Sequence, residues 1–305
     1  MRYVIRRFLI SVLTIFIVFV ITFILMHSVP GGPFLGEKTL PANIMHNLQV
    51  KYGLDQPMYV QFFNYLKNAL VGDFGVSIKL QGRSVTELIL MYFPVSMSIG
   101  LISVAIAMVT GTMLGILSAL KTGRTLDHTV MFIATLGTSI PSFVVGSVSV
   151  IIFGVMVRLL PTYGLDSPQS YILPAFALSF FPLSFVARLV RSTMLDVLKQ
   201  DYIKTARAKG LSEGMVLLKH ALKNAILPVV TYLGPLMASV VCGSFVIEKI
   251  FTIPGLGKSF VESINSRDYP VIMGTTIFYA AILIFMNFVV DILYVFVDPR
   301  IKNSD

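Results

Sequence analysis

The chain has 305 residues, 55% of them hydrophobic and 13% charged, with a formal net charge of +9 and a mean hydropathy of +0.83. Soluble domains carry about 25% charged residues, so a water-soluble globular protein is excluded and the chain reads as a membrane protein. The single cysteine, Cys242, excludes a disulfide framework and a cysteine-based metal cluster, and reads as a small buried hydrophobe.

In chain order, Arg2, Arg6 and Arg7 precede the first apolar run. That run is longer than the about 7–15 residues of a signal-peptide core and no small-x-small cleavage site follows, so it reads as a retained anchor. A bilayer core of about 30 Å takes about 20 mostly apolar residues per helix. Six segments meet that requirement, roughly 8–29, 94–120, 130–160, 171–195, 225–247 and 271–297. Threaded in order, they bring the N-terminal arginines, Lys121 with Arg124, a cationic run at 188–224, and Arg300 with Lys302 to one side. The positive-inside rule makes that side cytoplasmic, with both termini on it, and explains the net charge without nucleic acid. The chain reads as a single membrane domain over 1–305, with 30–93 as an external segment.

Within that external segment, 42–52 and 57–71 carry apolar residues at helical spacing, among them Met58, Phe62, Tyr65, Leu66 and Ala69. Two short amphipathic helices are expected there, either capping the bundle or forming a substrate entrance. Spans two, three and five supply Ser96, Ser98, Ser103, Thr110, Thr135, Thr138, Ser139, Ser142, Thr231 and Ser239. These either line a path or let helices pack closely. The four histidines are scattered, with neither HExxH nor GxSxG in the chain, so they read as structural or interfacial residues.

From Arg188 to Asn224 eight cations face three acids. The sequence predicts a helix over 197–209 with Leu198, Tyr202, Thr205 and Ala206 on one face. Gly210 then ends it at positive φ, and Ser212 caps a second helix through its side chain, with Met215, Leu218 and Leu222 on one side. Farther on, the PGLG at 254–257 reads as turn chemistry that shapes a re-entrant or external corner, since proline presets φ and the glycines tolerate positive φ. In the last span Asn287 and Asp291 lie four residues apart. An ionisable group at depth needs a partner, and Arg188 or Arg191 on the fourth span is the expected ion-pair partner of Asp291.

The run DYIKTARAKGLSE followed by HALKNAILPVVTYLGP resembles the cytoplasmic coupling loop of ABC-importer permeases, called the EAA loop. Lys204, Thr205 and Ala206 stand where the general pattern has Glu-Ala-Ala, and Gly210 keeps the glycine four residues on. The missing glutamate leaves that acid's role without a residue here. Further blocks extend the likeness over nearly the whole chain: RRFLISVLTIFIVFVITFILMHSVPGGPF, YGLDQP, GDFGVSI, IEKIFTIPGLGKSFVESINSRDYPVIMG and DILYVFVDPRIK. Together they resemble the B-type permease subunit of oligopeptide and dipeptide ABC importers.

The resemblance implies an all-α membrane protein, with six transmembrane helices in the type I permease architecture and a coupling loop at 196–224. It implies half of a translocation pathway for oligopeptides. The implied partners are a C-type permease, two ATPase subunits and an extracytoplasmic peptide-binding lipoprotein. By the same likeness Ala206, Gly210 and Leu211 form the ATPase contact, with Arg207, Lys209 and Glu213 as its polar rim. No GxxxxGK[ST] occurs in the chain, so ATP and Mg are expected on the partner subunits, and neither catalysis nor a cofactor on this one. Dipeptides, glutathione or nickel chelates are the alternative cargo. An ion-coupled secondary transporter, the other class, would want paired intramembrane acids or broken helices in two halves.

Overall fold

Proline and glycine decide where the apolar runs become continuous helices and where they break. The computed structural model describes residues 2–28, 34, 42–241 and 243–297. Cys242, read above as a buried hydrophobe, lies outside them. Regular structure is helical throughout these residues, with one isolated β-bridge between Val76 and Ser84. In chain order the helices are α1 Arg2–Ser28, α2 Ala42–Lys51, α3 Met58–Leu70, α4 Val85–Leu120, α5 Thr125–Ser139 and α6 Ser142–Ser149. They continue as α7 Ile172–Leu198, α8 Asp201–Ala208, α9 Glu213–Ala225, α10 Leu227–Val241, α11 Phe245–Ile250, α12 Leu256–Ser266 and α13 Tyr269–Val297. The two short helices expected in the 30–93 segment are present as α2 and α3.

Four helices are long and apolar enough to cross a bilayer, at Val4–Ser28, Val85–Leu120, Pro168–Leu198 and Tyr269–Val289. Two further helix pairs are together long and apolar enough but are bent at a break, and the number is six if each bent pair is one span. The third span, expected as one run over 130–160, turns through 107° between Thr125–Ser139 and Ser142–Met156. Its cause is local. Pro141 lacks an amide N–H and pushes Ile140 into extended backbone, with φ −91° and ψ 124°. The fifth span also differs from 225–247: α9 and α10 meet at 48°, α10 stops at Val241, and α11 starts afresh where the Ser244 hydroxyl accepts the Ile247 amide at 3.5 Å.

The chain forms two compact units, 1–95 with 254–288 and 96–253 with 289–305. In the first, Phe62 of α3 meets Phe19 and Phe23 of α1 edge to face at 5.3 and 5.2 Å. Val85, Leu88 and Ile89 of α4 pack with Leu256 and Val271. Asp268, 2% exposed, ties the 77–79 backbone to the start of α13. Its carboxylate accepts from the Ser77 hydroxyl and from the amides of Ile78 and Lys79, both at 3.1 Å.

In the second unit α7 is the central element, with Val186, Val190 and Met194 buried. Gly111 and Gly115 of α4, spaced as GxxxG, let that helix approach α7 until a β-carbon at 115 would stand 2.6 Å from the Ala187 carbonyl and from Val190. Small residues at this spacing are how apolar helices pack where water supplies no drive. The expected turn at PGLG is corrected. Gly255 has φ −97° and Gly257 lies inside α12, while the positive φ belongs to Thr252, at 53°. Gly255 is the N-cap residue of α12, so neither glycine of the stretch fills a left-handed position.

Candidate functional site

The cationic run folds into two short helices around a left-handed bend. In α8 Asp201 occupies the first turn, where a carboxylate suits the helix N-terminus, and Lys204 reaches it at 2.9 Å. At the other end the Gly210 amide donates to Arg207 O at 2.9 Å and the Leu211 amide to Ala206 O at 3.4 Å. With Gly210 at φ 79° this is a Schellman ending, which satisfies carbonyls that the helix leaves open. The positive φ expected at Gly210 is therefore present. A β-carbon there would meet nothing within 4 Å; what the position demands is conformational.

Across the bend, Arg207 clasps Glu213 along one edge of its guanidinium, Nε donating to Oε1 at 2.8 Å and Nη2 to Oε2 at 3.2 Å. The pair sets the angle between α8 and α9 more than it stabilises the fold, because both side chains are substantially exposed. Lys209 is exposed and Leu211 half-buried, while Ala206 is buried with Ile203, Val216, Ala221 and Ala225. What Ala206 gives the bend is a close-packed inner wall.

Two expectations about these helices are corrected. Ser212 precedes α9 but makes no side-chain cap bond. It is exposed, so water serves the first-turn amides and no hydroxyl is needed. The second correction concerns faces. Ile203 and Ala206 form the inner side of α8, and Val216, Ala221 and Ala225 that of α9, whereas Tyr202, Met215 and Leu218 are exposed, Leu218 by 72%. Over Val216–Ala221 α9 widens to π geometry, so the 3.6-residue period does not hold across that stretch.

Behind the bend, α7 is tied in from two directions. Thr193 donates its hydroxyl to Ala225 O at 2.9 Å. Arg191 makes a bidentate pair with Asp127, at 2.7 and 2.8 Å, and Asp127 also accepts the Ser118 hydroxyl at 2.5 Å and the Gly123 amide at 2.9 Å. Asp127 is 2% exposed. Four donors on one carboxylate lock the α4–α5 turn to α7. Arg188 Nη1 reaches Thr138 Oγ1 at 3.3 Å. The side chain of Asp291, the partner expected for one of these arginines, lies outside the described residues. Sequence reasoning missed Asp127 because an acid in a helix's first turn beside Lys121 and Arg124 has an ordinary explanation. The available signal was Arg191 itself, a cation inside an apolar run.

Of the hydroxyl residues in the spans, Ser103, Thr110, Thr135, Ser139 and Ser239 donate to carbonyls of their own helices. Ser96 is buried and donates to the buried Glu248 at 2.7 Å. Among the described residues no three His, Cys, Asp or Glu side chains gather as a metal site.

The sequence pattern of the family described as binding-protein-dependent transport system inner membrane component matches residues 111–303, and that of the corresponding N-terminal region matches residues 1–100. The chain is 48% identical over 301 residues to the dipeptide transport system permease protein DppB of Bacillus subtilis, covering 99% of this chain and 98% of that protein. It is 41% identical over 304 residues to the oligopeptide transport system permease protein OppB of Escherichia coli, covering 99% of each. A solved structure of the MetNI methionine ABC transporter, in an inward-facing conformation, superposes with a TM-score of 0.56 at 20% identity, over 69% of this chain and 96% of that one. An amino acid ABC transporter gives 0.54 at 14% identity, over 68% and 93%. These two likenesses are of fold.

Proposed function

Because the chain belongs to the family of binding-protein-dependent transport system inner membrane components, we propose that it builds half of an ATP-driven path by which short peptides cross the membrane. It is a permease subunit of the oligopeptide and dipeptide ABC transport type, multi-pass and non-catalytic, and ATP is hydrolysed on a partner. The observation that carries the reading is identity over the full length to permeases of both peptide systems.

The remaining assignments are ours. A second permease completes the path, two ATPases attach on the cytoplasmic side together with both termini, and an extracytoplasmic binding protein delivers the peptide. The α8–α9 bend docks into the ATPase around Gly210 and Leu211, with Arg207, Lys209 and Glu213 at its rim, while Ala206, buried on the inner side, backs the bend instead of touching the partner. Two observations support this. The bend is held by its own hydrogen bonds and ion pair, as a part that transmits movement must be. Its outer side shows Tyr202, Met215 and Leu218, apolar surface of the kind that a partner covers.

Proteoliposomes holding the chain with a second permease, two ATPases and the binding protein are expected to accumulate labelled trialanine only when ATP is supplied. The chain alone is expected neither to hydrolyse ATP nor to accumulate peptide. Uptake by the chain alone, driven by a proton or sodium gradient, would contradict the reading in favour of a secondary transporter.

A further inference from the structure

The short helix α3 has three sides with three chemistries. Phe62 and Tyr65 pack on Phe19 of α1, and Phe62 also on Phe23. Gln61, Asn64 and Asn68 line a cavity of about 430 Å³. On the third side Tyr59, Phe63 and Leu70 are 67%, 63% and 80% exposed. Their spacing of four and seven residues puts them in one row along the helix, and Lys67 borders it. An exposed row of this kind on a water-facing helix has no physical support.

The depth of α3 names what covers it. Phe19 and Phe23, against which α3 packs, belong to the last turns of the Val4–Ser28 span. At 1.5 Å per residue Phe19 lies about 14 Å from the end of α1, within the half-thickness of a hydrocarbon core of about 30 Å. At the same level Ile21, Ile24 and Leu25 of α1 are 51%, 53% and 57% exposed, as lipid-facing residues are. Aromatic side chains and a lysine able to extend toward water are what helices place at the headgroup boundary. We propose that α3 is an interfacial helix whose Tyr59, Phe63 and Leu70 row is sunk into the leaflet in which α1 ends, continuing the lipid-facing surface of that span. The external segment is thereby anchored to the bilayer as well as to the protein.

The chain contains no tryptophan, so one introduced indole reports alone. The full-length chain carrying Phe63→Trp is reconstituted into phosphatidylcholine vesicles, with Asn64→Trp and Ile21→Trp as companions. For Phe63→Trp, lipids brominated high on the acyl chain are expected to quench emission more than lipids brominated near the chain end, with a blue-shifted maximum and weak quenching by aqueous acrylamide. Asn64→Trp, on the cavity side, is expected to show the reverse. Quenching of Phe63→Trp by acrylamide and not by bromolipid would overturn the proposal. Insensitivity to both quenchers would overturn it equally, by showing a protein surface over the row. Loss of bromolipid quenching at Ile21→Trp would instead refute α1 as a span, which separates failure of the anchor from failure of the membrane topology beneath it.

Discussion

Arg191 shows how far single residues can be read. A cation inside an apolar run needs an acid, and that much follows from solvation alone. Its partner here is Asp127, 64 positions away, and periodicity supplies faces without naming partners across elements. Asp268 is a second case, an ordinary acid in a loop that holds the backbone of residues 78 and 79 from 190 positions away. Because Asp127 is buried under four donors, Asp127→Ala leaves the Arg191 guanidinium, the Ser118 hydroxyl and the Gly123 amide without their acceptor. The expected cost is about 3 kcal/mol. Arg191→Ala in the Asp127→Ala background is expected to cost much less than Arg191→Ala alone, a coupling of about 1–3 kcal/mol in thermal unfolding of the detergent-solubilised protein. Additive losses would show that the pair is not a unit. For Asp268→Ala, the freed segment is expected to open locally, so that trypsin cuts after Lys79 about tenfold faster with the helical core intact.

At the scale of elements, apolar length located the four long helices and the two bent pairs, and proline broke the first of those pairs. The 107° turn at Ile140–Pro141 is legible in the proline but not in the hydropathy, which continues smoothly across it. The π widening in α9 was not legible, since nothing in VLLKHA distinguishes it from an ordinary helix. The GxxxG of α4 was in plain sight and describes a contact that hydropathy does not report. Gly115→Leu is expected to force α4 from α7, because even the β-carbon has no room against the Ala187 carbonyl. A loss of about 1–3 kcal/mol in thermal stability is expected. Gly123→Ala, at a left-handed turn position whose β-carbon would meet nothing within 4 Å, is expected to cost about 1–2 kcal/mol through backbone strain alone. Equal stability of Gly115→Leu and the unsubstituted chain would refute the close approach.

For the whole molecule, composition established the membrane, and the quoted motifs, spread from the first span to the last, pointed to the family. The left-handed Gly210 was legible from its place at the end of a helix, whereas the bidentate Arg207–Glu213 pair across the bend was not. Lys204→Ala removes only a contact with Asp201 in which the two side chains are 68% and 95% exposed, and near-normal transport is expected. The central claim is that the α8–α9 bend passes ATPase movement to the membrane helices, and Gly210 tests it most directly. At φ 79° a β-branched residue is strongly disfavoured, whereas asparagine tolerates the left-handed region. The measurement is ATP-driven trialanine uptake, with co-purification of the ATPases, by the assembled transporter carrying Gly210→Val or Gly210→Asn at matched membrane abundance. The expected result is loss of uptake or of ATPase co-purification with valine and substantial retention of both with asparagine, while normal uptake by Gly210→Val would contradict the account.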